Sequence, residues 1–517
     1  MSAPEHRRRG DREVRFGRRE LLGGLIAAAG VGAVAALLDE GASSGSTRLL
    51  SARPLEARAS AFVKKGSTTY SYVSRPDLHP PRVLLDVNRP GQDGGLVVTD
   101  SHGRGQQGPM LIGRDGEIVW FYAVSDNGTP KQRAFNTRVQ RYKGEPVLSY
   151  FVGAVTDGHG EGYYRILDTS YREVATVQGH NGLKGDLHDF LITPQDTALF
   201  TSYGTAVADL RAVGGSRQGK YFFGEVQEVE IESGKLLFYW RSDAHVGFEA
   251  SYAELPKSGP WDYFHLNSIA VDPTDGNLII SSRMCWAFYK VDRTTGQVIW
   301  QLGGKKGDFE LGPGAEFAWQ HDVTPQPNGL YTIFDNEGAL RVKRSRGLVL
   351  RVDEAARRAT LVRQYLHHPP LFSVVLGSVQ DLPRAHRFIG WGTTTYFTEY
   401  DEKGEVLLDG HLDGAGLESY RAFKSPWAGL PDYPPAVVAR REGARTVAYV
   451  SWNGAATVAH WVVRGGPTPR ELRVLGRAPK RGFETAIDLP GRPSFVEVQA
   501  LNGSGHPLRR SGSVRVR

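Results

Sequence analysis

A single cysteine, Cys285, stands in 517 residues, so no disulfide can form within the chain and no cysteine-based zinc or iron–sulfur site is available. Stability must come from packing alone. Charge of one sign is also in short supply: Lys plus Arg total 63 against 56 Asp plus Glu, a net +7, and seven of the arginines fall within the first twenty residues. An excess that small, placed there, does not argue for nucleic acid as a partner. Walker-type phosphate loops are missing too, because Gly303-Gly304-Lys305-Lys306-Gly307 has the wrong glycine-to-lysine spacing.

What is present is glycine (62), proline (29), tyrosine (21) and tryptophan (10) in a chain that is 40% hydrophobic and 23% charged. That composition excludes a wholly disordered chain and disfavours an all-helical one; it suits short strands joined by many turns. The length predicts at least two structural units.

The N-terminus carries Arg18-Arg19 followed by eighteen uncharged residues, Leu21 to Leu38, with Ala33-Val34-Ala35 offering a small-residue cleavage pattern. Residues 1–40 therefore read as a twin-arginine export signal, with a retained membrane anchor as the alternative. Export as a folded protein suits a large chain without disulfides. Residues 41–70, rich in Ser, Ala, Gly and Arg, read as a flexible linker.

Self-similarity dominates the middle of the chain. The segment from His265 reads as strand, Asp/Gly turn, strand, strand, Thr-Gly turn, strand; related plans start at His188, at His321 and near Gly377, with equal steps of 56 residues from 265 to 321 and from 321 to 377. Two weaker copies precede them, GPMLIGRDGEIVWFYAV and TRVQRYKGEPVLSYF continuing to YREVATVQG. Six copies of about four alternating strands, closing on aromatics as in GEIVW and GQVIW, predict a six-bladed β-propeller over residues 71–435, with a solenoid of hairpins as the alternative. After the Pro-rich PDYPPAVV, strands recur about every ten residues over 436–517, which predicts a small immunoglobulin- or fibronectin-like β-sandwich. The fold class is all-β.

Three copies open with histidine at one repeat position: His188-Asp189, His265-Leu266-Asn267 and His321-Asp322. Arg283 ends the second strand of its own copy, where the neighbours have Tyr203 and Asn336. Equivalent positions on successive blades converge near a propeller axis, so these side chains are expected in one cleft. Three imidazoles and a guanidinium suit a compact anion, since Arg presents a fork of donors and His serves as nucleophile, acid or base near neutral pH. A zinc site is the weaker reading, because the guanidinium would oppose the metal. No metal or cofactor is expected. Cys285 reads as buried and structural, His245 as a loop residue with a place at the pocket rim as the alternative, His367 and His368 as surface residues, and Trp286, Trp300 and Trp319 as packing between blades. Asp322 is a candidate orienter of His321.

The motifs SRPDLHPP, GPMLIGRDGEIVWF, HDF, YFHLNSIAVDPTDGNLIISSR, IWQLGGKKGDFELG, FAWQHDV and LYTIFDNEG together resemble the arylsulfotransferase family, bacterial enzymes that move a sulfuryl group between phenols without a nucleotide donor. The resemblance spans about residues 71–435. It implies a six-bladed propeller, a phenolic sulfate donor, a phenol acceptor and a transiently sulfated histidine. By motif that histidine is His321 of WQHD, with His265 of FHLNS, Arg283 of SSR and His188 of HDF at the other active-site positions. The chain differs from well-known enterobacterial members in lacking their cysteine pair and in placing the sandwich-like unit after the repeats. Alternatives of another class are a non-catalytic secreted propeller that binds a polyanion, glycan or cell-wall component, and an aryl sulfate hydrolase using the same pocket.

Overall fold

The structure is a computed structural model that describes residues 49, 51–124, 131–337 and 343–517. The paired arginines, the apolar stretch Leu21 to Leu38 and residues 41–48 lie outside the described residues. Within them the chain is nearly all-β, and no helix is long and apolar enough to cross a membrane.

Short strands bounded by Asp, Asn and Gly turns pair as consecutive antiparallel neighbours, as local meanders do when loop closure is short. The strands Leu266–Val271, Leu278–Ser282, Ala287–Val291 and Val298–Gly303 form one such sheet in chain order. The next begins at His321–Gln326 and runs through Leu330–Asp335 and Arg346–Asp353 to Arg358–Tyr365. Another runs from Ser378–Asp381 to Val406–Asp413 and takes the early strand Arg82–Asn88 on its outer edge. The late strand Phe423–Ser425 heads the sheet of Leu96–Ser101, Gly108–Ile112 and Ile118–Phe121. Between these, residues 133–177 and 185–241 contribute four strands each and share one sheet through the single pairing of Gly185 with Gly162.

The aromatics that close the copies explain why sheets stack side by side. Trp120, Trp240 and Trp300 are all fully or nearly buried, and each joins a core that includes residues of the following sheet, as Trp300 does with Tyr331, Ile333 and Leu348. Truncating such a residue to alanine costs about 3–5 kcal/mol. At the inner ends the ties are polar. Asp189 Oδ2 accepts from Ile269 N, Ser268 Oγ from Val323 N and Asp322 Oδ2 from Val379 N, each bond linking one sheet's first strand to the next.

Residues 51–70 are not the linker their composition suggests. Ala57–Ala59 pairs with Glu484–Leu489, and Ala61 and Tyr70 pack beside Tyr72 and Phe483 in one core. Polar composition hid this because the stretch is a short edge strand, whose outward residues face water. Beyond Ala436 two sheets, one containing Ala436–Glu442, Arg445–Ser451 and Glu484–Leu489 and the other Val458–Gly466, Arg473–Pro479 and Phe495–Asn502, share a core around Trp452 and Trp461. Asn453 stitches this unit to the repeats, its side-chain amide donating to and accepting from the Phe121 backbone at 2.9 Å each.

Candidate active site

Each histidine-bearing inner strand is broken at the same place. The register shifts between Gly185 and Phe190, between Leu266 and Ser268, and between His321 and Thr324. A bulge of this kind re-aims a side chain, and here backbone in the left-handed region, at His265 (φ 51°) and Asp322 (φ 51°), accompanies it. The structure brings His188, His265, Arg283 and His321 together. The rings of His188 and His265 lie 4.9 Å apart, and both act electrostatically on His321 together with Arg283. All four are at least nine-tenths buried.

The three imidazoles are held differently. His188 donates Nδ1–H to Asp186 Oδ2 at 2.6 Å, and His265 donates Nδ1–H to Asp262 Oδ2 at 2.5 Å. Asp186 is fixed in turn by Gly160 N, the His188 backbone N and Thr201 Oγ1. Burial would raise Asp186, but the His188 ring and these donors outweigh it and hold the carboxyl below its ordinary value. His321 Nδ1–H instead meets neutral acceptors, the Trp319 carbonyl at 2.9 Å and Asn336 Oδ1 at 2.8 Å. Its Nε2 is therefore the bare nitrogen, and it accepts the Leu376 backbone N–H at 3.3 Å. Burial first, and the Arg283 charge second, push the His321 pKa well below the usual imidazole value, so the ring is neutral at physiological pH.

Arg283 leaves its strand one residue past Ser282. Its guanidinium stacks over Trp319 at 4.7 Å and donates from Nη2 to the Val374 carbonyl at 3.3 Å, while its Nε–H has no partner. Among the described residues no carboxylate lies within ion-pair distance of it. Burial lowers its pKa to about 10, which leaves it cationic at neutral pH. A buried cation without a counter-ion is costly unless an anion joins it.

The strap Ser373–Gly377 covers both reactive groups. Asn336 Nδ2 donates to the carbonyls of Ser373 (2.7 Å) and Leu376 (3.0 Å), and Gly377 at φ 110° packs so close to Phe334 that a Cβ would lie 2.4 Å from its ring. Two surface clefts, of about 830 and 810 Å³, are lined by none of the four residues.

Several expectations need correction. Asp322 does not orient His321; its Oδ2 ties to Val379 N and its Oδ1 lies 3.4 Å from Arg421 and 3.6 Å from Arg138, because alternation sends it to the other side of the strand. Trp319 stacks on the site arginine rather than packing between sheets, and Trp286 stacks on Tyr252 at 3.7 Å. His367 is buried, bonded to the Pro369 carbonyl at 2.8 Å and to Asp409 at 3.1 Å, while His368 is exposed. His245 stacks on Trp240, outside the cluster. Cys285, by contrast, is fully buried as expected, and burial raises its thiol to about 11.

Sequence reasoning missed the two orienting carboxylates, although Asp186 stands two residues before His188 and Asp262 three before His265. It also missed His159, which carries no repeat signature. His159, Asp262 and His265 bring three possible metal-ligand atoms within 4.8 Å. Asp262 is already shared by two imidazoles and acts on Arg283, so a cation there would meet a guanidinium in the same pocket.

No curated protein matches. Among solved structures, a protein of unknown function from Bacteroides caccae is similar at 14% identity, covering 64% of this chain and 98% of its own, with a TM-score of 0.39. Virginiamycin B lyase from Staphylococcus aureus is similar at 9% identity, covering 79% and 100%, with a TM-score of 0.32. Likenesses that faint carry no argument about function. The arylsulfotransferase (ASST) family profile matches residues 138–412, a span that contains all four clustered residues and more than half of the chain. The chain belongs to the arylsulfotransferase family.

Proposed function

We propose that the protein transfers a sulfuryl group from a phenolic sulfate ester to a second phenol by a ping-pong reaction through a sulfohistidine at His321. The observation that carries this reading is the pairing of a buried guanidinium, Arg283, that among the described residues has no carboxylate within ion-pair distance, with a neutral histidine whose Nε2 is bare of hydrogen. One binds an oxyanion; the other attacks it.

The Nε2 lone pair forms a bond to sulfur as the bond from sulfur to the aryl oxygen breaks, and the phenolate leaves with that electron pair. Arg283 donates to the non-bridging oxygens, where charge spreads in a loose transition state. His188 or His265 protonates the phenolate from Nε2. Arrival of the sulfate ester's negative charge favours the imidazolium form of His265, as an opposite charge does. In the second half the acceptor phenol gives its proton back to that Nε2, its oxygen attacks sulfur, and the N–S bond pair returns to His321. The neutral partners of Nδ1 matter here: the sulfated ring stays cationic and leaves readily, whereas a carboxylate partner would offset that charge.

The test is a chromogenic aryl sulfate, with and without a second phenol: transfer requires the phenol, and sulfate release without it would mark a hydrolase. Arg283→Lys keeps the charge but loses the fork, and a defect of about 10- to 1,000-fold in kcat/KM is expected, the scale of one lost oxyanion donor. A variant within about twofold of wild type would remove Arg283 from this role.

The same reading takes residues 71–435 as a six-bladed propeller and 436–517 as a β-sandwich. It is supported by six four-stranded groups whose inner strands are tied in succession, and by the two sheets sharing a core around Trp461. We take residues 1–40 as a twin-arginine export signal, cleaved or retained as an anchor. Changing Arg18-Arg19 to Lys-Lys should leave folded protein in the cytoplasm, read by cell fractionation; unchanged export would overturn this assignment.

A further inference from the structure

His159 has no part in the reaction as written, yet it is the fourth imidazole of the cluster. It begins the strand His159–Leu167 after a turn through Asp157 (φ 50°) and Gly158 (φ 82°), and that turn delivers the ring to the far side of Asp262. The ring stacks on Phe222 at 4.4 Å, meets Tyr203 edge-on at 4.3 Å and lies 5.5 Å from the ring of His265. Its Nε2 is 3.2 Å from Asp262 Oδ2, the oxygen that also takes the Nδ1–H of His265. Neither nitrogen of His159 makes a well-aligned hydrogen bond. A histidine that only fills space is normally placed where its N–H has a partner; this one faces a carboxylate as a charge.

The titratable and charged groups around it are Asp262, His265, Asp186, Asp157 and Tyr203, with His188 and Arg283 beyond Asp262 and His265. Burial opposes a charge on His159, but Asp262 first, then Asp186 and Asp157, outweigh it and raise its pKa. Burial instead holds His265 at about 4, helped by the neighbouring imidazoles. Of the two rings that share Asp262, His159 binds a proton more readily.

We infer that His159 is a positioning residue for His265: from the far side of Asp262 its charge keeps the carboxylate ionised, fixes His265 as the Nδ1–H tautomer with Nε2 bare, and discourages a second proton on that ring until an anion enters. The inference deepens the proposed transfer and, for its catalytic meaning, rests on it.

The experiment is the pH dependence of kcat/KM for His159→Gln beside an NMR titration of imidazole nitrogens in the substrate-free full chain. A positive neighbour repels a proton, so removing it makes His265 bind its proton more tightly. In the variant the acid limb of kcat/KM for the acceptor phenol, the half-reaction in which the ring must take a proton, and the His265 titration midpoint should both move up, by on the order of one pH unit. A ring that merely packs would lower the rate at every pH and move neither. If the variant does not fold, the wild-type titration decides: His265 signals should respond as His159 titrates. An unmoved His265 midpoint, or no response in the wild type, overturns the inference. Because the titration needs no substrate, a shifted midpoint in a protein without transfer activity would support the linkage while refuting the proposed reaction.

Discussion

His321→Asn should abolish transfer between phenols, and wild-type protein given the donor alone should gain one sulfuryl group on His321. Asparagine approximates the size of the ring and its hydrogen bonding to Trp319 and Asn336, but it cannot form a cationic N-sulfo intermediate, so the change isolates nucleophilicity from packing. Loss of the covalent route should cost several powers of ten, each factor of ten being about 1.4 kcal/mol in the barrier. Intact mass and peptide mapping after donor treatment read the label. Sulfate on Tyr or Ser, or near-normal transfer by the variant, would defeat the assignment and make polyanion binding the better account.

The second large effect is on stability. Arg421 is 1% exposed and reaches Asp189 at 3.1 Å and Asp322 at 3.4 Å, while Arg138 reaches the same two carboxylates from a mostly buried position. Two cations thus face two buried carboxylates that also tie neighbouring inner strands. Burial raises Asp322 to about 7 and raises Asp189, even with both arginines present. Arg421→Met leaves two carboxylates and one cation, and about 3–5 kcal/mol of stability should be lost, as when one partner of a buried pair is removed. The loss depends on pH. A carboxyl whose folded pKa lies above its unfolded value binds more protons when folded, so stability falls as pH rises from the unfolded to the folded pKa. Removing Arg421 raises the folded values further, so the variant's deficit should be larger at about pH 8 than at about pH 5, growing as pH rises past about 7, where wild-type Asp322 ionises. Urea unfolding at the two pH values measures it; a deficit below about 1 kcal/mol at both would show that Arg138 alone suffices.

The aspartates of the HD pairs show where sequence reasoning stops. From the repeat register, His321 and Asp322 stand together, and a neighbouring carboxylate is the obvious orienter. Alternation along the strand separates them: the imidazole meets Asn336, while Asp322 reaches the next sheet's backbone and the central arginines. The carboxylates that do orient histidines, Asp186 and Asp262, were visible only as residues shortly before His188 and His265. His159 carried no signal, since Tyr203, Phe222 and Asp262, which surround it, lie from 44 to 103 residues away along the chain.

By itself the sequence determined the all-β character, the period of the copies, and the residue types that recur at their starts, because turn residues, strand alternation and repeat spacing are local properties of the chain. It also carried the motifs of the arylsulfotransferase family. Only the tertiary structure decided which acceptor each imidazole meets, that the Val374 carbonyl and the Leu376 N–H cover Arg283 and His321, and that residues 57–59 pair with a strand more than 400 residues later. Those outcomes depend on bulges that redirect single side chains and on contacts between segments far apart in sequence, and neither leaves a periodic trace in the order of the residues.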